Sequence, residues 1–151
     1  MTEPTGPSSS SPRRILFVCL GNTCRSPMAA ALVNHFLGDA WQAASAGIRP
    51  GQQVSPLAAE AMQELGIDIR DHQPRSVEAF REQPWDLVVL LSDRLGPVAQ
   101  EWPQVQERLL LPFPDPYEAT GDRAQRLAVY RQVRDAMRAQ LLPLLAAKAR
   151  G

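Results

Sequence analysis

Ile15-Leu16-Phe17-Val18-Cys19-Leu20-Gly21-Asn22-Thr23-Cys24-Arg25-Ser26-Pro27-Met28-Ala29-Ala30-Ala31-Leu32 runs from an apolar tetrapeptide through a polar turn into a helical pattern. Residues 15–18 read as a short buried strand. Ser26 is the expected N-cap of the helix and Pro27 its first residue. The loop formed by Cys19, Leu20, Gly21, Asn22, Thr23, Cys24 and Arg25 therefore falls between a strand end and a helix start. Backbone N–H groups converge there and the helix dipole is positive, so the place suits a tetrahedral oxyanion. A cysteine at its base would be held as thiolate and act as a nucleophile. The planar fork of Arg25 would pair with two oxygens of the anion.

Outward from this loop, apolar runs alternate with amphipathic stretches. The first helix is expected over 26–37, ended by Gly38, and a second strand over 41–46. Ser55 and Pro56 open a helix that runs to about residue 65, with Gly66 after it. The continuous run Leu87-Val88-Val89-Leu90-Leu91 marks a strand over 86–91, covered on both faces as in a parallel sheet. A short fourth strand is expected at 108–111, and short helices at 76–80 and 93–100. Leu127, Tyr130, Val133, Met137 and Leu141 keep helical spacing within 122–147, with Pro143 expected to kink or end that helix. The pattern predicts a single α/β domain over 13–151, with a mostly parallel sheet and ligands bound at the carboxyl ends of its strands. Residues 1–12, rich in Ser, Pro, Thr and Gly, read as a disordered tail.

The 151 residues carry 16 basic and 16 acidic side chains, so no net field draws the chain to nucleic acid or to a membrane surface. No apolar run is long enough to span a bilayer. Two cysteines in one loop form no disulfide framework, and a cytoplasmic protein with reduced thiols is expected. Cys19, Cys24, His35 and His72 match no common zinc spacing, and Arg25 would repel the ion. Neither metal nor cofactor is implied.

The stretch from Val18 to Pro27 resembles the active-site loop of the low-molecular-weight protein tyrosine phosphatases, and thiol-dependent arsenate reductases of the same fold carry a related loop. The resemblance covers most of the chain. It implies a three-layer fold with a four-stranded parallel sheet flanked by helices. It also implies a role for Asp115, in Leu111-Pro112-Phe113-Pro114-Asp115-Pro116-Tyr117, as the general acid that protonates a leaving oxygen and later activates water. Phe113 and Tyr117 could shield that carboxyl, and Tyr117 could wall the substrate cleft. Behind the loop, Ser26 could donate a hydrogen bond to the Cys19 thiolate, and the resemblance places His72 against Asn22. Gly21 would give the loop a backbone conformation closed to other residues, and Asn22 would hold a left-handed turn.

Two activities share these parts. In the first, Cys19, Arg25 and Asp115 hydrolyse a phosphorylated protein or small aryl phosphate through a phosphocysteine. In the second, Cys19 attacks arsenate and another thiol breaks the adduct. Many such reductases carry further cysteines after the strand matching 86–91, whereas no cysteine follows Cys24 here. A small external thiol or a redoxin could serve. Cys24 could resolve the adduct, or pair reversibly with Cys19 as protection against oxidation. Ser26-Pro27 and Asp115-Pro116-Tyr117 look like the phosphatases. Ser45-Ala46-Gly47 and the stretch from Ala119 to Asp135 look like the reductases, and no aromatic wall follows Gly47. The missing thiols rank ester hydrolysis first and arsenate reduction second. A non-catalytic oxyanion sensor would be expected to lack one of Cys19, Arg25 and Asp115, yet all three are present. Arg49 and Arg75 could reach a substrate.

Overall fold

The computed structural model describes residues 11–96 and 105–150. Residues 1–10 of the expected tail, residues 97–100 of the helix expected at 93–100, and Trp102 lie outside them. In chain order the elements are β1 (Arg13–Cys19), α1 (Arg25–Leu37), β2 (Trp41–Gly47), α2 (Pro56–Gln63), β3 (Trp85–Leu90), β4 (Val105–Leu110) and α3 (Arg123–Arg150). Single 3-10 turns lie at Val77–Ala79 and Pro116–Glu118.

The four strands form one parallel sheet in the order β2-β1-β3-β4. From β1 the chain goes out to β2 on one side, then crosses to β3 on the other. The carboxyl end of β1 is thus the switch point at which such sheets bind ligands. β1 and β3 are central, and their apolar runs are buried on both faces. Ile15, Phe17, Leu87 and Val89 face a core shared with Leu32 of α1, Met62 of α2, and Tyr130 and Met137 of α3. Leu16, Val18, Val88 and Leu90 face the other way, under Val77, Trp85 and Leu95.

Two expectations about local structure change, those for Ser26 and Pro143. Ser26 does not cap α1: Cys24 is the N-cap residue, with no side-chain cap bond, and Pro27 is the third helical residue. The Ser26 hydroxyl turns instead toward Cys19. Gly38 ends α1 as expected, at φ −62°, and its smallness matters, since a Cβ there would lie 2.5 Å from the Asn34 carbonyl oxygen. Pro143 does not end α3, which continues to Arg150. Its missing N–H is one bond lost in a helix that buries Leu127, Tyr130, Val133, Met137, Leu141 and Leu145 along one side. Arginines of α3 also make ion pairs. Arg123 pairs with Glu60 and Arg131 with Glu64. Buried Arg134 joins Glu64, Asp135 and the Ala61 carbonyl oxygen, tying α3 to α2. The α2 cap is as expected: Ser55 Oγ accepts from the Ala58 N–H at 3.4 Å, with Pro56 in the first turn.

Candidate active site

The loop after β1 is held from outside through its carbonyl groups. The Cys19 carbonyl oxygen accepts from the Ile48 N–H (3.1 Å), that of Leu20 from Arg49 (2.8 Å), that of Gly21 from Gly51 (2.9 Å) and that of Thr23 from Ser55 (2.9 Å). The Asn22 carbonyl oxygen lies 3.1 Å from His72 Nε2, so that ring nitrogen carries the proton. The Cys24 carbonyl oxygen accepts from Met28 inside α1. With these carbonyls turned outward, the loop's N–H groups are left for the opposite side. Among the described residues, the N–H groups of Gly21, Thr23 and Cys24 have no protein acceptor, and that of Asn22 points at Cys19 Sγ, 3.2 Å away. This is the geometry of an anion cradle at an uncapped helix start.

Asn22 is the keystone of the loop. It is fully buried and adopts φ +55°, a left-handed conformation that asparagine tolerates better than most residues. Its side-chain amide donates to Ser26 Oγ (2.8 Å) and its Oδ1 accepts from the Arg75 N–H (2.8 Å). Ser26 accepts from Asn22, so its own proton is free for Cys19 Sγ at 2.8 Å, much nearer than the alternative acceptor, the Ala46 carbonyl oxygen at 3.5 Å. Gly21, expected to supply the unusual backbone angle, does not: the left-handed residue is Asn22, and a Cβ on Gly21 would meet nothing closer than 3.5 Å. The glycine that the loop needs is Gly47. A Cβ there would lie 2.8 Å from the Leu20 carbonyl oxygen and 2.9 Å from the Asn22 nitrogen. The β1–β2 register opposes Cys19 and Gly47, which only the folded sheet reveals.

Arg25 is buried in the first turn of α1 and its fork faces the loop after β4. Nη1 donates to the Phe113 carbonyl oxygen (3.0 Å) and Nη2 lies 3.5 Å from Asp115 Oδ2. Asp115 Oδ1 accepts from the Tyr117 N–H (3.0 Å), which fixes the carboxyl at the start of the short 116–118 turn. Phe113 is buried. Tyr117 is 69% exposed and lines the cleft beside Asp115. The structure thus brings Cys19, Arg25 and Asp115 into one cleft of about 610 Å³, whose other walls include Leu20, Thr23, Arg49, Gln52 and Ser55. Cys19 sits at its floor, 2% exposed.

Two further groups lie under the loop. Cys24 is buried beside the Tyr130 hydroxyl (3.6 Å), and Ser55 donates to that hydroxyl (3.1 Å). Burial pushes the Cys24 thiol up from its ordinary value, more than hydrogen bonds from Tyr130 and Thr23 lower it. Burial also pushes the Tyr130 hydroxyl up. Both groups are therefore neutral near neutral pH. The sequence gives no sign of this contact, because Tyr130 reads there only as a core position of the last helix. Half-buried His72 titrates below its ordinary range, chiefly because burial disfavours its charged form. His35 is exposed, edge-on to Phe36. Among the described residues, no group of three or more His, Cys, Asp and Glu side chains could hold a metal ion, and no helix is long and apolar enough to cross a membrane.

A family model described as low molecular weight phosphotyrosine protein phosphatase matches residues 14–150. The chain is 40% identical over 121 residues to an arsenate reductase of Halalkalibacterium halodurans, covering 80% of this chain and 86% of that one. It is 36% identical over 121 residues to an arsenate reductase of Bacillus subtilis, with the same coverage of 80% and 86%. Among solved structures, an arsenate reductase in the phosphate binding state superposes with a TM-score of 0.74 at 28% identity, covering 89% of this chain and 98% of that one. The low molecular weight protein tyrosine phosphatase from T. tengcongensis gives 0.74 at 28% identity, covering 89% and 99%.

Proposed function

The chain belongs to the low molecular weight phosphotyrosine protein phosphatase family, and we propose that within this enzyme family it is an arsenate reductase that relies on a thiol from outside the chain. The observation that carries this reading is the 36–40% identity to arsenate reductases over four-fifths of the chain. Ranked on the sequence alone, ester hydrolysis came first because no cysteine follows Cys24. The relatives favour the reverse order, with the missing relay thiols supplied by an external partner.

In this reading arsenate sits in the cradle, its oxygens on the loop N–H groups and on the Arg25 fork. Arg25 then exchanges its partners at Asp115 and Phe113 for the anion. The Ser26 hydroxyl and the Asn22 N–H stabilise the Cys19 thiolate. Cys19 Sγ attacks arsenic, and one arsenate oxygen leaves as water. An external thiolate then attacks Cys19 Sγ. The S–As bond breaks, its electron pair goes to arsenic, and arsenite departs while a mixed disulfide remains on Cys19. A second thiol reduces that disulfide. The sum is one arsenate and two thiols giving arsenite, one disulfide and water.

A second reading is phosphate monoester hydrolysis, and the specific observation behind it is Asp115. Its carboxyl stands 3.5 Å from Arg25 in the cleft that holds Cys19, where a general acid for a leaving oxygen would belong. Both activities are tested on one preparation, by following arsenate-dependent thiol oxidation beside aryl phosphate hydrolysis. Brisk thiol-coupled arsenate turnover with slow ester hydrolysis is expected. Fast ester hydrolysis with no arsenate-dependent oxidation, using either small thiols or redoxins, would install the second reading in its place.

A further inference from the structure

The cleft above Cys19 is much larger than the anion it is proposed to bind. Arsenate has one arsenic and four oxygens; with each atom given the roughly 30 Å³ that a water takes up in the liquid, it would fill only about a quarter of the 610 Å³. The outer part is walled by Arg49, Gly51, Gln52, Gln53 and Tyr117. Arg49, Gln52 and Gln53 are exposed there. Elsewhere Arg70, Arg81, Arg123, Arg131 and Arg134 pair with carboxylates, but among the described residues no acceptor pairs with the Arg49 guanidinium. Before an anion binds, the acid of the cleft, Asp115, faces Arg25 and accepts from the Tyr117 N–H. Arg49 is also firmly placed: its own N–H is bonded to the Leu20 carbonyl oxygen of the Cys19 loop, so its side chain leaves from the cleft wall itself.

We propose that the outer cleft is the binding subsite of the reducing thiol, a small peptide-like thiol carrying at least one carboxylate, held by Arg49 with Gln52 and Gln53 against its carboxylate and amide groups. The inference rests on the arsenate reductase reading and names the reductant for it. A guanidinium fork matches a carboxylate, and two neighbouring side-chain amides match peptide groups as both donors and acceptors. The 2% exposure of Cys19 at the cleft floor favours a thiol small enough to enter over one fixed on a folded protein's surface. Cys24, the only other thiol in the sequence, is held neutral under the loop by burial and is a poor attacker. The reaction in the subsite is the second step above. The bound thiolate forms a bond to Cys19 Sγ, the S–As bond breaks toward arsenic, and a second molecule of the same thiol then releases Cys19 as the disulfide product leaves.

Two measurements on the full chain separate this inference from the reading beneath it. The first compares kcat/KM for arsenate reduction driven by glutathione, a carboxylate-bearing peptide thiol, with that driven by neutral 2-mercaptoethanol. In Arg49→Glu the ratio of the two should fall about fivefold, and less at high salt, as for an exposed charge contact. Arg49→Gln should show a smaller fall in the same direction. The second measurement needs no arsenate. Cys19 thiolate attacks glutathione disulfide, forming the mixed disulfide and expelling one glutathione thiolate. Intact mass follows the rate, with Cys19→Ser as the blank. The same fall, relative to exchange with 2-hydroxyethyl disulfide, is expected in Arg49→Glu. Ratios that stay at the wild-type level in both measurements overturn the subsite, as does arsenate reduction that runs on a reduced redoxin and not on glutathione. Loss of arsenate turnover with every thiol, beside an Arg49-dependent exchange rate, would sink the reductase reading while leaving the subsite standing.

Discussion

Replacing Asn22 by alanine and by glycine separates two things that this residue does at once. Its side chain makes two hydrogen bonds, a buried one to Ser26 Oγ and a partly buried one from the Arg75 N–H, each at 2.8 Å. Each is worth about 1 kcal/mol net. Its backbone sits at φ +55°, where alanine's Cβ costs a further ~1 kcal/mol and glycine costs nothing. Glycine's extra freedom in the unfolded chain returns ~0.5 kcal/mol of that advantage. Asn22→Ala should therefore lose ~3 kcal/mol of unfolding free energy, and Asn22→Gly ~2.5 kcal/mol. Urea melts would show both as a lower midpoint at unchanged slope. Turnover should respond differently. Both variants leave Ser26 without the donor that directs its proton to Cys19, so both should lose about 10–100-fold in kcat, to a similar extent. An Asn22→Gly protein as active as the wild type would show that the backbone turn alone matters. An Asn22→Ala protein destabilised by less than ~1 kcal/mol would show that the brace behind the loop carries little energy.

Cys19→Ser should abolish both arsenate-dependent thiol oxidation and aryl phosphate hydrolysis while phosphate binding by calorimetry persists; residual turnover would remove Cys19 as nucleophile. Gly47→Ala places a Cβ 2.8 Å from the Leu20 carbonyl oxygen and 2.9 Å from the Asn22 nitrogen, so it should cost ~1–3 kcal/mol of stability and shift the cradle. Its kcat should drop about 100-fold, and wild-type turnover would refute the close approach. His72 titrates lower in the folded protein than in the unfolded chain. Its contribution is thus fully present above the unfolded histidine value of about 6.5 and is lost as pH falls through the lower folded value. The stability difference between wild type and His72→Gln, measured by urea melts across pH 8 to about 5, should be flat at first and then decline. A difference that grows on acidification would contradict the buried neutral ring.

Much of this protein was legible in the order of its residues because the signals are local. An apolar strand, a polar loop and a helical pattern in immediate succession place Cys19 and Arg25 on a strand-to-helix turn before any long-range contact is known. The run Leu87-Val88-Val89-Leu90-Leu91 announces a strand buried on both faces, and both of its faces are buried. Local signals also misled. Ser26-Pro27 has the composition of a helix start, yet the helix begins earlier at Arg25, because the Ser26 hydroxyl is taken by Cys19 and Asn22. A glycine in a tight loop suggests a special backbone angle, but that angle belongs to Asn22.

The sequence by itself determined the chemistry on offer: a thiol, a guanidinium fork and a carboxylate on an α/β scaffold, with no relay cysteine beyond Cys24. Only the tertiary structure decided how the loop is made to present its N–H groups. The groups that hold its carbonyls outward, at Ile48, Arg49, Gly51, Ser55 and His72, come from segments tens of residues away. So do Gly47, which lets β2 pass close, and Tyr130, which lies beside Cys24. The physical reason is that a strand-to-helix turn sets where an anion can sit through short-range geometry, whereas the orientation of each peptide in that turn depends on partners that only the closed sheet brings within hydrogen-bond distance.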